Sequence, residues 1–280
     1  MGPDQKTPPS PLGLIAGNGR FPFLVARAAR RGGRSVVAIA VQEEASPDLA
    51  TEVEEFHWVG LGQLGRCISL LRAANVCEAV MAGQIKHRQL FSGIVPDLKL
   101  LGLLARLATR NTDSLIGAVA DTLAEAGIRL LSSTELLTDE LATAGAMTRR
   151  KPSSSEQKDI AYGERIARTI AGLDLGQAVA VKEQAVVAIE AMEGTDEVIH
   201  RAGRLAGKGV TVVKVSKPSQ DMRFDVPVIG TGTLATMEEV GAGVLAIDSG
   251  RTLMIDRPVL LARADELGMA IWGLEPSATA

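Results

Sequence analysis

The chain has 280 residues, of which 46% are hydrophobic and 22% charged, and its formal net charge is −3. That length builds one large domain or two ordinary ones with a sizeable core. The charge balance excludes a bulk positive field for wrapping nucleic acid, and no apolar run approaches the roughly 18 to 20 residues that span a bilayer. The opening "MGPDQKTPPSP" has no apolar signal core and reads as a disordered lead, residues 1–11. Cys67 and Cys77 form no CxxC pair, so reduced, buried thiols in a cytoplasmic protein are expected.

From Leu12 onward, short apolar runs alternate with helical patterns. "LGLIAG" predicts a strand, and "FPFLVARAARRGG" a helix with Pro22 near its start and Gly32 near its end. "SVVAIAV", "EFHWVG", a helix from about Gln63 to Ala74, and "EAVMAG" follow, with "GIRLLSS" (Gly127–Ser133) as a fifth strand. This alternation predicts a parallel sheet covered by helices, a nucleotide-binding-like α/β domain over residues 12–142. The polar stretch "TAGAMTRRKPSSSEQKD" marks a linker, residues 143–158. Residues 159–275 read as a second α/β domain: "AVAV", "AVVAIE", a helix near Asp196–Gly207, "VTVVKV", a helix near Leu234–Ala242, "VLAID", "RTLMID" and a helix near Arg257–Gly268.

Five stretches are candidates for chemistry. In "IAGNGRFP", Gly17 and Gly19 occupy the first two positions of a GxGxxG turn, where backbone N–H groups and a helix start suit a phosphate. Pro22 replaces the third glycine, and a plain βα turn explains the same residues. In "MAGQIKHRQLF", Gly83 ends a strand and Lys86, His87 and Arg88 follow as donors for phosphate oxygens, or as a solvated basic turn. The leucine-rich stretch from Leu98 to Leu107, broken by Lys99 and Arg106, suits a membrane surface or acyl chains, and equally a helix packed on a sheet. In "AIEAMEGTDEVIHRAG", Thr195 is placed as an N-cap with Asp196 in the first turn, which is sufficient by itself but also compatible with a phosphate.

The fifth stretch, "VTVVKVSKPSQDMRFDVPVIGTGT", concentrates charge after a strand. Asp221 and Asp225 lie four apart, and one or two carboxylates completed by waters and substrate phosphates are what Mg²⁺ favours. Lys214, Lys217 and Arg223 would share the charge of an anion, and "IGTGT" adds a turn of backbone donors. A surface ion-pair loop is the plain alternative.

In chain order, "LGLIAGNGRFP", "EAVMAGQIKHRQLF", "PDLK", "LDLGQAVAV", "AIEAMEGTD", "VKVSKPSQDMRFDVPVIGTGT" and "DSGRTLMIDR" resemble one family, the UDP-2,3-diacylglucosamine pyrophosphatases of the LpxI type. The resemblance runs from about Leu12 to Gly273. It implies a Rossmann-like amino-terminal domain, a distinct carboxy-terminal catalytic α/β domain, and substrate held in the cleft between them. It further implies Mg²⁺-dependent hydrolysis of UDP-2,3-diacylglucosamine to UMP and 2,3-diacylglucosamine 1-phosphate (lipid X), in lipid A biosynthesis. The family's acidic motif falls on Asp225, with Asp221 beside it, as catalytic and metal-holding residues. Gly17, Gly19, Gly83, Lys86, Thr195, Asp196, Lys214, Lys217 and Gln220 are the substrate-binding candidates. A lipid substrate implies a cytoplasmic protein in transient contact with the inner membrane; a homodimer is left open, and no nucleic acid is expected. The rivals are an NAD(P)-dependent oxidoreductase using "GNGRFP" and a non-catalytic binder of nucleotide or lipid.

Overall fold

A computed structural model describes residues 10–85, 95–107, 112–218 and 220–275. Most of the predicted lead, residues 1–9, lies outside the described residues. The chain forms two compact units, Met1–Leu137 with Met222–Asp225, and Thr138–Asp221 with Val226–Ala280.

The first unit is built on five strands, β1 (Leu12–Ala16), β2 (Val36–Val41), β3 (Glu55–Val59), β4 (Glu78–Ala82) and β5 (Arg129–Leu130). Their order is β3-β2-β1-β4-β5 and every pair is parallel. This is the order of the doubly wound α/β sheet. The run VVAIAV explains the position of β2: all six residues are buried, as a strand covered on both faces requires. Helices α1 (Phe21–Arg31), α2 (Leu64–Ala73), α3 (Leu98–Leu104) and α4 (Thr112–Glu125) complete the unit. In α1, Pro22 occupies the first turn, where its missing N–H is harmless, and Arg30 and Arg31 face the negative end of the helix dipole. Its buried face includes Phe21, Leu24 and Val25, each contributing roughly 1.5–3 kcal/mol by leaving water.

The second unit holds a six-stranded sheet ordered β6-β13-β11-β9-β7-β8. Its strands are β6 (Gly145–Ala146), β7 (Ala178–Lys182), β8 (Ala185–Ile189), β9 (Thr211–Lys214), β11 (Val244–Asp248) and β13 (Ala270–Leu274). Strands β9, β11 and β13 run parallel; β7 is antiparallel to both β9 and β8, and β6 to β13. A separate two-stranded ladder pairs β10 (Val228–Ile229) with β12 (Leu253–Met254). Alternate side chains divide the core. Val212, Leu245, Ile247 and Ile271 join α6 (Thr195–Ala206), α7 (Thr231–Val240) and α8 (Arg257–Glu266) on one face. Val213, Val215, Ala246 and Ala270 join α5 (Ser154–Gly172) on the other.

The β7–β8 hairpin turns through Glu183 and Gln184, whose φ values are 51° and 58°. A two-residue hairpin turn of this hand normally selects Gly, Asn or Asp. Here the strain is offset from a distance: Asp159 of α5, buried, accepts from Glu183 N at 3.2 Å and Gln184 N at 2.7 Å.

A capping box starts α5. Ser153 Oγ accepts from Glu156 N, and Glu156 Oε2 accepts from Ser153 N at 2.7 Å, while Arg150 also binds the Glu156 carboxylate. Burial acts to raise the Glu156 pKa, but the Ser153 N–H and Arg150 outweigh it and hold the carboxyl below its ordinary value. A depressed carboxylate stabilises above its unfolded-state pKa and loses that contribution as pH falls through the folded value. Glu156→Gln is therefore expected to cost about 1 kcal/mol near neutrality. Urea titrations of the two proteins should converge only once the pH has fallen below the depressed folded-state pKa of Glu156. A gap that persists unchanged in acid would sink this account.

Three expectations are corrected. Cys67 is buried, its thiol pushed up to about 12 by burial, but Cys77 is exposed, because it precedes β4 outside the apolar register. The run Gly127–Ser133 yields only Arg129–Leu130 as strand; by Ser133 the backbone N–H is bonded to Met222 O rather than to β4. Strand β13, "AIWGL", follows α8 and was not expected; it forms the inner neighbour of the β6 edge.

Candidate functional site

At the carboxyl ends of the central strands of the first unit, two glycine turns are laced together. Gly17 N donates to Ala82 O at 2.9 Å, Asn18 N to Gln84 O at 2.8 Å, and Gln84 N back to Asn18 O at 3.0 Å. A Cβ on Gly17 would stand 2.7 Å from Gln84 O, and one on Gly83 the same distance from Asn18 O. Glycine at 17 and 83 is thus required by backbone approach between β1 and β4 alone. The location is the switch point of the sheet, where chain connections diverge and open α/β folds bind ligands. Gly19 is exposed at φ 95°, and no neighbouring atom would meet a Cβ there. Pro22 stands buried in the first turn of α1, so the third glycine of a dinucleotide turn is missing.

The segment Met222–Asp225 also belongs to this unit, although 84 residues separate it from Leu137. Ser133, nearly fully buried after β5, fixes it. Ser133 N donates to Met222 O at 2.8 Å, and Ser133 Oγ lies 2.6 Å from Met81 O and 2.7 Å from Arg223 O. Its single proton serves one carbonyl at a time. Phe224 packs on the core formed with α2 and α4. The backbone carrying Asp225 is thereby set beside the ends of β4 and β5, at the sheet edge that holds Gly17 and Gly83.

In the second unit, the ends of β8 and β9 gather a buried polar chain. Lys214, the last residue of β9, is 8% exposed; its Nζ donates to Thr195 Oγ1 at 3.0 Å and to Val228 O at 3.3 Å. Thr195 in turn donates to Glu190 Oε1 at 2.8 Å, and Glu190 Oε2 accepts from Gln177 N at 3.0 Å. This corrects the capping expectation. Gly194, at φ 88°, takes the N-cap position, Thr195 is the first residue of α6, and its hydroxyl is spent on Glu190. Asp196 lies exposed in the first turn, where a carboxylate complements the helix dipole.

The loop after β9 is held at several points. Ser216 N donates to Asp248 Oδ2 at 2.7 Å, and Arg168 grips the same carboxylate through both terminal nitrogens, at 2.8 and 2.6 Å. Burial opposes the charge on Arg168, yet Asp248 and Glu164 outweigh it and raise its pKa. Lys217 Nζ pairs with Asp174 at 2.7 Å, and Lys217 N donates to Gln220 Oε1 at 2.6 Å. Gln220 is 8% exposed, with its Nε2 lacking a hydrogen-bond partner among the described residues. Such a donor suits a ligand oxygen or a water.

The structure therefore joins Thr195 to Lys214 and Lys217 to Gln220, brings Gly17 to Gly83, and assigns Asp221 to the second unit and Asp225 to the first. Lys86, with His87 and Arg88, lies outside the described residues. Asp248 and Arg168 were not singled out by the sequence, and Glu190 reads there only as flanking, with Glu193, the strand-to-helix turn before Thr195; a carboxylate directly after an apolar strand was the available signal. In α3, Leu100 and Leu103 are buried while Leu98 and Leu101 are exposed beside Lys99, as is Val95 before the helix. Among the described residues no helix is long and apolar enough to cross a membrane.

Fold and site together define a two-unit α/β protein, one unit on a parallel sheet and one on a mixed sheet. Residues 11–140 match the LpxI N-terminal domain and residues 143–272 the LpxI C-terminal domain. The LpxI of Caulobacter vibrioides, named a UDP-2,3-diacylglucosamine pyrophosphatase, is 31% identical over 276 residues, covering 95% of this chain and 98% of that protein. The chain belongs to the LpxI family. Among solved structures, gox2253 aligns with 12% identity and a TM-score of 0.31 over 93% of this chain and 84% of its own; that likeness carries no argument.

Proposed function

We propose that this chain hydrolyses the pyrophosphate of UDP-2,3-diacylglucosamine to UMP and lipid X, a step of lipid A biosynthesis, with Mg²⁺ as the metal. The observation that carries the reading is the match to the Caulobacter protein over nearly the full length of both chains. The residue types at the strand ends of each unit support it. Asp225 accepts the proton of the attacking water, and Asp221 assists. Lys214 and the Thr195 end of α6 bind phosphate oxygens, joined by Lys217, Gln220, Asp196 and the turns at Gly17, Gly19 and Gly83. One water is consumed, one phosphoric anhydride bond breaks, and each phosphate leaves with one of the two products.

Asp225 and Asp221 are carboxylates of the kind Mg²⁺ takes. Among the described residues no three His, Cys, Asp or Glu side chains come together as a closed cage. Mg²⁺ does not need one, because one or two carboxylates suffice when substrate phosphates and waters complete the shell. Asp225 and Asp221 would hold it, and it would supply charge neutralisation to the pyrophosphate.

The exposed apolar side chains of Val95, Leu98 and Leu101, with Lys99, would meet acyl chains or the cytoplasmic face of the inner membrane. The direct test is release of UMP from UDP-2,3-diacylglucosamine, measured with Mg²⁺, with EDTA, and after Mg²⁺ is restored. Release that disappears with EDTA and returns with the ion is expected. Release indifferent to EDTA would remove the metal from the reading. Tight binding of the UDP-lipid without product under any divalent ion would make the chain a binding protein instead.

A further inference from the structure

Glu190 is a buried carboxylate that the proposed chemistry does not use. It follows β8 directly, and its backbone extends the ladder, Glu190 N donating to Ala178 O at 2.9 Å. The side chain turns inward and is almost wholly shielded, the residue being 6% exposed. Its two oxygens are taken by Gln177 N and by the Thr195 hydroxyl. Among the described residues Thr195 links this carboxylate to the buried Lys214 ammonium, and it is a neutral link.

Helix α6 does not need this arrangement. Gly194 already takes the cap position, and Asp196 and Glu197 already complement the dipole. Removing a carboxylate and an ammonium from water is costly, and separating them by a hydroxyl weakens the attraction that offsets the cost. An apolar pair would serve packing better. What the chain does provide is direction. A hydroxyl has one proton, and Glu190 takes it. Thr195 Oγ1 must then present a lone pair, which receives Lys214 Nζ at 3.0 Å, while Val228 O receives a second ammonium proton at 3.3 Å. With two of its three donors directed, the orientation of the whole ammonium group is fixed. Without the carboxylate that receives its proton, the Thr195 hydroxyl loses the bond that holds Oγ1 in place, and the ammonium it receives is no longer directed.

We propose that Glu190 is a positioning residue for phosphate handling: acting through the Thr195 hydroxyl, it sets the orientation of the Lys214 ammonium. This rests on the hydrolase reading above, in which Lys214 binds a phosphate oxygen of the UDP-lipid. Displacing a charge-stabilising group by about 1 Å is enough to cost on the order of 10²-fold in turnover.

The experiment measures UMP release from UDP-2,3-diacylglucosamine by the full chain, as wild type, Thr195→Val, Thr195→Ser and Glu190→Gln, with thermal unfolding recorded for each. Thr195→Val keeps the shape and removes the hydroxyl; Thr195→Ser restores the hydroxyl on a smaller side chain. The expected result is kcat lowered about 10²-fold in Thr195→Val and Glu190→Gln, KM changed far less, and Thr195→Ser recovering most of the loss. Equal losses in the valine and serine variants would overturn the proposal, because the hydroxyl would not be what matters. So would wild-type kcat in folded Glu190→Gln. Failure of both Thr195→Val and Glu190→Gln to fold would make the network structural and overturn it as well. An inactive wild type is a different outcome, which defeats the hydrolase reading itself.

Discussion

Asp225→Asn is expected to lower UMP release by about 10³-fold, within the range for loss of an acid–base group, while the UDP-lipid still binds. Asparagine keeps the size and one carbonyl oxygen of the side chain but cannot accept the proton of water, and it is a poorer ligand for a hard cation. The fold should tolerate the change. The backbone of this segment is fixed independently by the Ser133 bonds to Met222 and Arg223, and its packing comes from Phe224. Thermal unfolding within a few degrees of wild type is therefore expected alongside the kinetic loss. Isothermal titration with UDP-2,3-diacylglucosamine should show binding within a few-fold of wild type when a slow variant is used. If activity, affinity and melting temperature fall together, Asp225 serves the fold and the proton-accepting role is lost. If activity persists, the acidic motif is not the reacting group.

That Asp225 belongs with the first unit was not legible in the sequence. Asp221 and Asp225 were read as neighbours on one charged stretch, and they are, but the chain crosses between units at that point. The cause is a pair of hydrogen bonds from Ser133, a residue some ninety positions earlier whose sequence context, "LLSST", signals only the end of a strand. The parallel sheet was legible because its central strands β1 and β2 are continuous apolar runs, buried almost throughout, while the outer strand β3, "EFHWV", is mostly half-exposed and carries the weaker signal. Strand β13 escaped notice because "AIWGL" is five residues with a glycine, and the backbone beside Gly273 must accommodate Thr143, where a Cβ would clash. The hairpin turn at Glu183 and Gln184 was hidden for a related reason. Its backbone conformation is imposed by Asp159 through two N–H bonds rather than by the local residues. At the candidate site, Lys214, Thr195 and Gln220 were found as types suited to phosphate. The partner carboxylates, Glu190 and Asp248, were hidden because their roles depend on which strands become neighbours.

Asp248→Ala is expected to cost about 3 kcal/mol of stability, toward the lower end of the range for breaking a buried charge pair. Asp248 ends β11 with its side chain 4% exposed, against 27% for Arg168. The guanidinium retains some access to water, which tempers the loss. Two consequences separate this pair from an ordinary surface bridge. Among the described residues, removing Asp248 leaves Arg168 with Glu164 of the same helix as its acidic partner, and it also strips Ser216 N of its acceptor in the loop that leads to Lys217. The variant should therefore lose both stability in urea and turnover, since the loop positions proposed to meet the substrate are anchored through Ser216. Asp248→Asn separates the two effects. Its carbonyl still accepts from Ser216 N while the charge facing Arg168 is gone, so activity should recover more completely than stability. In the double variant Arg168→Met, Asp248→Leu, no buried charge is left unpaired, and the loss of stability should be smaller than in Asp248→Ala. A double variant as unstable as the sum of its single changes would show that the two residues act independently, and the clamp on the loop would have to be sought elsewhere.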